Sequence, residues 1–532
     1  MKAIRLAGVV AALCAMTLAS HLAWAGFAGP VKTEGGLVQG SVEGDVTVFK
    51  GIPFAAPPVG ELRWTPPARV SSWSGVKGAT SYAPACIQVS RAIPSLGIEK
   101  VDVNEDCLYL NVWTPAKSAD EKLPVMVWLH GGGFTIGSPT LLSYQGDKLA
   151  KRGVIVVTVA YRLGALGFLA HPDLSAESAH HVSGNYGLLD MIAGLRWVRD
   201  NIAAFGGDPD RVTIFGESAG GAAVSILAAS PLAKGLFQRA ICESGGYFKP
   251  SSSPPLPGQR QLRLADAEKA GVAFATKLGA KSIQDLRAIS ADEILKGSAG
   301  VQGITGPNVD GWVISGDEYK LYEAGKFNDT PVIVGYNSNE GASFQGPTTP
   351  KKYKKSVKAE YGSFAKQILK AYPAKGKDVT QQSAQDLARD MNFGWNSWTW
   401  AKLQDKTGKS PIFVYFFAHQ LPKGPVPRPI PKGAPHGTEI AYVFQHPAEQ
   451  NQTWDATDQA LSDDVADYWT NFAKTGDPNG AGLPKWPAFD NADPQYMHFN
   501  DKPEAGPVPN PDQLKAVDAF IAWQRSQENS AP

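Results

Sequence analysis

Short, continuous apolar runs bounded by turn residues recur along the chain from about residue 123 onward. They are rich in β-branched residues and do not alternate with polar positions, which is typical of strands buried on both faces of a parallel sheet. The pattern predicts strands at 125–129, 154–159, 212–215, 331–334 and 412–417.

Helical periodicity separates these runs. Leu188, Met191, Ile192 and Leu195 keep the i, i+3, i+4, i+7 spacing of one apolar helix face, and residues 461–472 repeat it. Strands that alternate with helices predict an α/β fold, with a mostly parallel central sheet and helices on both of its faces.

Other parts of the chain follow different patterns. Residues 37–40 and 46–49 predict a small N-terminal antiparallel hairpin around Glu43-Gly44. The segments at about 250–330 and 342–410 are more polar and helical. We interpret them as large insertions that cap the sheet rather than as separate domains.

The first 25 residues belong to a different physical class. A short positive start precedes an apolar stretch from Leu6 to about Leu18, and Ala23-Trp24-Ala25 fits the small-x-small cleavage pattern. Such a stretch is shorter than the roughly 20 residues that span a bilayer. We therefore expect residues 1–25 to be a cleaved signal peptide and residues 26–532 to form one secreted or periplasmic domain.

Composition excludes several classes of protein. The 532 residues include 51 Lys plus Arg against 50 Asp plus Glu, and 43% of them are hydrophobic. The near-zero net charge lacks the excess of basic residues that is typical of nucleic-acid-binding proteins. The hydrophobic content excludes a disordered chain, so we expect a globular protein without a nucleic-acid partner.

The most informative stretch lies at 212–229. A buried strand runs into Gly216-Glu217-Ser218-Ala219-Gly220, and small residues with helical character follow. In a Gly-x-Ser-x-Gly turn between a strand and a helix, the glycines permit a tight bend that exposes the serine hydroxyl above the sheet. The pattern predicts Ser218 as a nucleophile.

A second glycine-rich turn follows the strand at 125–129, in the sequence His130-Gly131-Gly132-Gly133. Consecutive glycines let the backbone approach a ligand closely. The amides of Gly132 and Gly133, with that of Ala219, are therefore predicted to form an oxyanion hole.

When this type of turn carries a catalytic serine, an acid and then a histidine follow it in the chain. Glu340 comes just after the predicted strand at 331–334, and His436 lies in a loop rich in glycine and proline. We favour His436 as the base that takes the Ser218 proton, with His446 as the alternative. Glu340 is predicted to fix the imidazole tautomer.

Taken together, these motifs resemble the type-B carboxylesterases, the family that includes the cholinesterases. Three further motifs carry the resemblance, which runs from about residue 30 to 525: FKGIPFA at 49–55, EDCLYLN at 105–111 and FGGDP at 205–209. It implies an α/β-hydrolase fold and ester hydrolysis through an acyl-serine intermediate, with no cofactor and no metal. Residue by residue, it supports Ser218, Glu340 and His436.

The resemblance also implies residues with structural roles. Cys242 has no free partner, since Cys14 leaves with the signal peptide. The implied pairs are a disulfide between Cys86 and Cys107 and buried ion pairs of Arg63 with Glu105 and Arg162 with Asp190.

Function beyond this point stays open. The alternatives are hydrolysis of another acyl bond, such as an amide or a lactone, and a non-catalytic binding protein of the same family. The aromatic cluster at 393–400 suits a substrate pocket and a cap helix equally, and we interpret the lysines at 351–358 as a solvated helix face. We expect a small-molecule ester substrate, no stable membrane insertion and a monomer or weak dimer.

Overall fold

A computed structural model describes residues 27, 29–90, 100–251, 261–420, 422, 432–447 and 453–530. The expected signal peptide at 1–25 lies outside these ranges. Among the described residues, no helix is both long and apolar enough to cross a membrane.

The strands of the described part are numbered in chain order. They are β1 Val31–Lys32, β2 Leu37–Gln39, β3 Ser41–Glu43, β4 Val46–Pro53, β5 Val76–Gly78, β6 Ala85–Cys86, β7 Val103–Asn104, β8 Tyr109–Thr114, β9 Leu123–Leu129, β10 Ile155–Val159, β11 Gly207–Glu217, β12 Arg239–Glu243, β13 Leu262–Arg263, β14 Asn308–Val309, β15 Val332–Asn337, β16 Ile412–Phe417, β17 Gln495–Phe499 and β18 Pro503–Pro507.

The α-helices are numbered in the same way. They are α1 Asp147–Ala150, α2 Gly164–Phe168, α3 Pro172–Glu177, α4 Tyr186–Asn201, α5 Ala219–Ala229, α6 Leu264–Lys277, α7 Ile283–Ala288, α8 Ala291–Ser298, α9 Glu318–Glu323, α10 Pro350–Tyr361, α11 Ala365–Ala371, α12 Lys377–Arg389, α13 Trp395–Thr407, α14 Glu439–Phe444, α15 Ala456–Thr475 and α16 Pro511–Ser530. One turn of π-helix, Asp390–Gly394, joins α12 to α13.

A central sheet of 11 strands has the order β18-β17-β16-β15-β12-β11-β9-β10-β8-β4-β3. The strands from β10 through β17 in this order pair in parallel, and antiparallel strands complete the two edges. All five predicted parallel strands lie in the parallel part, so the predicted α/β-hydrolase fold is confirmed.

The alternation of side chains along β9 divides the core into two layers. Val125, Val127 and Leu129 belong to the cluster that includes helices α4 and α5. Met126 and Trp128 point to the other face, where the cluster includes α14 and α15. Helices therefore cover both faces of the sheet, which explains why the strand runs are apolar without alternation.

The N-terminal hairpin differs from the predicted one in its first strand. β3 at 41–43, not the stretch at 37–40, pairs with β4. Residues 37–39 instead form β2, which pairs with β1 and β5 in a separate three-stranded sheet. The switch occurs at Gly40, where a Cβ atom would lie 2.4 Å from the carbonyl oxygen of Val48.

The two predicted insertions are mainly helical. Residues 250–330 contribute α6–α9 and the two-residue strands β13 and β14, and residues 342–410 contribute α10–α13. Helix α13 contacts β15 and β16, and its N-terminal end continues from the π-helical turn. The π-helical turn contacts β15 and so brings residues of the insertion to the end of the sheet.

Candidate active site

The turn between β11 and α5 has the backbone that the Gly-x-Ser-x-Gly sequence predicts. Ser218 has φ +57° and ψ −116°, a strained conformation for a residue with a side chain. A Cβ atom on Gly216 would lie 2.6 Å from the Leu129 carbonyl oxygen, and one on Gly220 would lie 1.9 Å from it. Both glycines are therefore required because the end of β9 crosses the turn at contact distance.

The structure brings Ser218, His436 and Glu340 into one hydrogen-bonded chain. His436 Nε2 lies 2.8 Å from Ser218 Oγ, and His436 Nδ1 lies 2.6 Å from Glu340 Oε2. Glu340 is fully buried at the end of β15. This geometry allows the imidazole to accept the serine proton at one nitrogen while a carboxylate orients the other.

The runner-up His446 lies in different surroundings. Its Nε2 is 2.9 Å from Asp147 Oδ1 and 3.1 Å from the Gln145 carbonyl oxygen. It therefore joins α1 to the end of α14 and is not part of the chain that contains Ser218.

The glycine loop after β9 lies against the serine turn. A Cβ atom on Gly131 would meet Glu217 Oε2 at 2.6 Å and Ser218 Cβ at 3.2 Å. Gly132 and Gly133 have φ values of +109° and +62°. Within the described chain, their amide nitrogens donate no hydrogen bond to the protein, and the amide of Ala219 opens helix α5. Three amide donors of this kind suit a developing oxyanion.

The histidine that precedes this loop stabilises it. His130 is fully buried, its Nδ1–H donates to the Gly131 carbonyl oxygen at 2.9 Å, and its ring stacks on Tyr161. Burial lowers the pKa of His130 to about 4, although the contact with Gly131 opposes this effect. His130 is therefore neutral at physiological pH and holds the loop rather than exchanging protons.

Several buried polar residues around the chain were not predicted from the sequence. Glu340 Oε1 accepts hydrogen bonds from Ser244 Oγ at 2.6 Å and from the Asn337 amide at 2.7 Å. Asn337 also donates to Glu439, three residues after His436. Ser244 and Asn337 each follow or end a parallel strand, which was the signal that could have indicated them.

Glu217 is the second residue that sequence reasoning missed. Its Oε1 lies 3.1 Å from His436 Nε2, close to Ser218. The signal was present in the motif, because a charged residue stands directly before the serine at the end of a buried strand. The site therefore contains one imidazole between two carboxyl groups, Glu217 and Glu340.

Burial and like charges shift the acid-base equilibria of this site. Desolvation raises the pKa of Glu217, and the Glu340 charge adds to this effect while His436 opposes it. Desolvation also raises the pKa of Glu439, to which Glu217 and Glu340 contribute further. Burial alone would lower the pKa of His436, but the charges of Glu217 and Glu340 more than offset it, so the net direction is upward.

Only part of the predicted aromatic cluster reaches the site. Phe393 stacks on His436 with 4.7 Å between ring centroids, and Phe344 meets the same ring edge-on at 4.9 Å. Trp395 instead donates to Asp518, and Trp400 packs against Phe248. The remaining member, Trp398, lies under the ammonium group of Lys402.

The lysines at 351–358 lie on the exposed face of α10, away from its buried side chains. The buried side chains of α10 are those of Tyr353, Val357 and Tyr361. This arrangement is that of a solvated helix face.

The residues with expected structural roles are paired as follows. Cys86 and Cys107 form a disulfide, and Cys242 is a buried free thiol. Arg63 donates to both Glu105 oxygens at 2.8 and 2.6 Å. Arg162 donates to both Asp190 oxygens at 2.8 and 2.7 Å. Groups of His, Cys, Asp and Glu suited to hold a metal ion do not occur among the described residues.

Three features of this structure define the α/β-hydrolase class. They are a mixed sheet with helices on both faces, a serine on a strained turn after a parallel strand, and a histidine-carboxylate pair at neighbouring strand ends. The sequence profile described as the Carboxylesterase family matches residues 28–517. The chain therefore belongs to the carboxylesterase family and is a carboxylic-ester hydrolase.

Individual relatives cover most of the chain. The fumonisin B1 esterase of Sphingopyxis macrogoltabida is 37% identical over 494 residues, which are 89% of this chain and 87% of the relative. The cocaine esterase of Homo sapiens is 36% identical over 504 residues, 88% of this chain and 86% of the relative.

Solved structures agree with this assignment. A PNB esterase has a TM-score of 0.78 at 31% identity and covers 92% of this chain and 99% of its own. A carboxylesterase of Geobacillus stearothermophilus has a TM-score of 0.79 at 32% identity, with the same coverage of both chains. The resemblance inferred from the sequence motifs is thereby confirmed at the level of the family.

Proposed function

We propose that the chain hydrolyses carboxylic esters by an acyl-enzyme mechanism in which Ser218 is the nucleophile. The hydrogen-bonded chain from Ser218 through His436 to Glu340 carries this proposal. Ser218 Oγ forms a bond to the ester carbonyl carbon while its proton moves to His436 Nε2. Glu340 holds the imidazole in the tautomer that leaves Nε2 free to accept it.

The carbonyl oxygen becomes an oxyanion in this step. In the proposal, the amides of Gly132, Gly133 and Ala219 stabilise it, each contributing about 3 kcal/mol by analogy with other such sites. The intermediate collapses when the bond to the alcohol oxygen breaks, and His436 returns the proton to the leaving alcohol. Water then attacks the acyl-serine along the same route and releases the carboxylic acid.

The burst of p-nitrophenol from p-nitrophenyl acetate tests the nucleophile. We expect one equivalent of p-nitrophenol per active site before steady turnover, and we expect Ser218→Ala to abolish both phases while thermal unfolding stays near that of the unmodified protein. A burst that persists in Ser218→Ala would overturn the assignment.

A pair of histidine variants tests the base. We expect His436→Ala to lower kcat by about 10⁴-fold or more, as is usual when a member of a catalytic triad is removed. His446→Ala is the matched control, because its imidazole contacts Asp147 rather than Ser218. Similar losses in both variants would contradict the assignment of His436.

The relatives are named for ester substrates as different as fumonisin B1 and cocaine. We therefore restrict the proposed substrate class to small-molecule esters at this stage. We also propose export with removal of residues 1–25, since a disulfide such as Cys86–Cys107 is typical of oxidising compartments. N-terminal sequencing of the exported protein tests this, with Gly26 as the expected first residue.

A further inference from the structure

One segment of the second insertion concentrates positive charge. Residues 351–377 contain nine lysines and a single acidic residue, Glu360. Because the whole chain has 51 Lys plus Arg against 50 Asp plus Glu, the rest of it holds 42 basic and 49 acidic residues. All nine lysines are exposed, and we call them the lysine surface. They are Lys351, Lys352, Lys354, Lys355, Lys358, Lys366, Lys370, Lys375 and Lys377.

Carboxylates near the lysine surface do not balance it. In the described chain, the lysines that form ion pairs within 4.0 Å all lie elsewhere: Lys50, Lys269, Lys402 and Lys515. Glu360 interacts with the buried Lys249, whose charge opposes the rise in the pKa of Glu360 that burial causes. The stretches outside the described ranges contain two acidic residues, Glu99 and Glu449, which are too few to balance nine lysines.

The spacing of the lysines along α10 makes the charges repel one another. Lys354 comes three residues after Lys351 and four before Lys358, and side chains at these separations are neighbours on a helix. Like charges at such positions destabilise the helix, whereas a face that is only solvated usually carries charges of both signs. An anionic partner would relieve this repulsion, so the lysine surface is suited to bind one.

Three of the lysines line an open groove formed by α10 and α11. The groove has a volume of about 650 Å³, and its lining includes Lys358, Lys366 and Lys370. Gly362 and Ser363, in the turn that joins the two helices, also line it. The positive charge is therefore presented by two helices together and not by one helix face alone.

Aromatic rings lie beside this groove. Trp523 of α16 is 40% exposed, and its ring centroid is 5.5 Å from that of Phe364. Phe364 stands in the chain between the groove residues Ser363 and Lys366. Phe520 packs against both rings, at 5.8 Å from Phe364 and 6.0 Å from Trp523. An exposed indole next to lysines is typical of protein surfaces that contact the headgroup region of a membrane.

We propose that the lysine surface, with Trp523 at its edge, docks the protein reversibly on an anionic phospholipid membrane. Helix α10 alone is about 18 Å long, so its lysines extend beyond the reach of one small anion, whereas a plane of headgroups meets many of them at once. The exposed indole adds an apolar contact with the lipid. The docking is peripheral, without a membrane-spanning segment, and goes beyond the proposed function because it does not depend on Ser218.

Co-sedimentation of the exported protein with sucrose-loaded vesicles tests the inference. We expect binding to vesicles of phosphatidylglycerol and phosphatidylcholine in equal parts, and little binding to phosphatidylcholine alone. Raising the salt from about 0.1 M to about 1 M should release the protein, because the screening length falls from about 10 Å to about 3 Å. Equal binding to both kinds of vesicle, or binding that persists at the higher salt, would overturn the inference.

A triple variant locates the binding on the molecule. It replaces the lysines of the groove: Lys358→Gln, Lys366→Gln and Lys370→Gln. We expect the partition onto anionic vesicles to fall by about 5-fold for each lysine, or about 100-fold in all. Because the three side chains are exposed, thermal unfolding should stay near that of the unmodified protein.

The matched control has the same net charge as the triple variant. It changes three exposed lysines in other parts of the chain: Lys281→Gln, Lys296→Gln and Lys485→Gln. We expect its partition to change by less than about 3-fold, since these lysines lie outside the lysine surface. Equal losses in both triple variants would show that binding follows net charge rather than the lysine surface, and the inference would be wrong.

Trp523→Ala distinguishes a membrane from a linear polyanion. We expect this variant to bind anionic vesicles about 3-fold more weakly or worse, because it loses the apolar contact of the indole, and to bind heparin as the unmodified protein does. If Trp523→Ala leaves vesicle binding unchanged and heparin competes fully with the vesicles, the partner is an anionic polymer and the membrane assignment is overturned.

Discussion

The ion pair of Arg162 with Asp190 and the acids around His436 are both buried, yet their charges are balanced in different ways. Asp190 is fully buried and receives two hydrogen bonds from the Arg162 side chain and one from its backbone amide. Around His436, by contrast, Glu217 and Glu340 share one imidazole. Glu217 Oε1 lies 3.1 Å from His436 Nε2, but this nitrogen is hydrogen-bonded to Ser218 Oγ, and Glu217 Oε1 makes no hydrogen bond of its own among the described residues.

The two regions differ in what their buried charges can do. The three hydrogen bonds between Arg162 and Asp190 fix the geometry of this pair, which connects the end of β10 to α4. Around His436, burial raises the pKa values of Glu217 and Glu439, and the charges of neighbouring carboxylates raise them further. Such groups can exchange protons during a reaction, and perturbed acids of this kind cluster at active sites.

The largest effect is expected from Glu340, the carboxylate that we propose orients His436. Glu340→Gln would present an amide NH₂ to His436 Nδ1, which favours the tautomer with the proton on Nε2, the wrong one for accepting a proton from Ser218. We expect kcat for p-nitrophenyl acetate to fall by about 10³- to 10⁴-fold. The fold should be retained, since Gln can still accept from Ser244 and the Asn337 amide.

The control for this variant is a carboxyl group of the same type on the surface. Glu323→Gln, on the exposed side of α9, should leave kcat unchanged. If Glu340→Gln retains more than about a tenth of the activity, far above the loss that tautomer control predicts, the orienting role of Glu340 is wrong.

The next largest effect tests the balanced region. Arg162→Met leaves the Asp190 carboxylate buried without its cation, and breaking such a pair costs about 3–5 kcal/mol. We expect the free energy of unfolding in urea to fall by this amount. The exposed pair Arg199–Asp200 offers a matched control, because Arg199→Met should change the stability by less than about 1 kcal/mol.

A double variant separates the charge effect from packing. Arg162→Met combined with Asp190→Leu removes both charges, and we expect it to recover most of the lost stability. If the double variant is as unstable as Arg162→Met alone, the stability lost in Arg162→Met comes from lost packing and not from an unbalanced charge.

A smaller effect is expected from the loop that faces the acids. Gly131→Ala adds a methyl group 2.6 Å from Glu217 Oε2 and 3.2 Å from Ser218 Cβ, so the loop must move away from the serine. We expect kcat to fall by about 10²- to 10³-fold, similar to the loss of one oxyanion donor. Gly78→Ala, which meets nothing within 4 Å, is the control and should retain full activity.

Much of this arrangement was predictable from the sequence because it depends on local patterns. Continuous apolar runs indicated the parallel strands, and the Gly-x-Ser-x-Gly motif indicated the turn at Ser218. The prediction of the N-terminal hairpin was less accurate. Periodicity alone does not show that the backbone at Gly40 lies against the Val48 carbonyl oxygen, where the chain passes from one sheet to another.

The remaining site residues depend on contacts between distant segments. Ser244 and Glu340 are 96 residues apart. The aromatic cluster at 393–400 shows the same limit, since only Phe393 faces His436. Which side of a helix faces a site depends on how the insertion packs, and a helical pattern without a clear apolar stripe does not specify it.

The smallest expected effect concerns the charge of Glu217 and is measured as a shift in pH dependence. In the proposed mechanism His436 must be neutral to accept the Ser218 proton, so we expect activity to rise with pH through the pKa of His436. Burial lowers this pKa, but the Glu217 and Glu340 charges raise it further than burial lowers it. Glu217→Gln removes one of these charges, so we expect the acidic limb of the kcat/KM profile to move to lower pH by about one unit.

The same profile shows whether Glu217 is charged in the working range. Because burial raises the pKa of Glu217, its carboxyl group gains a proton as the pH falls, and the influence of its charge on His436 is then lost. The profiles of Glu217→Gln and the unmodified enzyme should therefore differ most at neutral to alkaline pH and converge in acid. Glu323→Gln should reproduce the unmodified profile throughout. Identical profiles for Glu217→Gln and the unmodified enzyme would show that Glu217 is protonated wherever the enzyme works, and the contrast with the balanced Arg162–Asp190 pair would then rest on Glu340 and Glu439 alone.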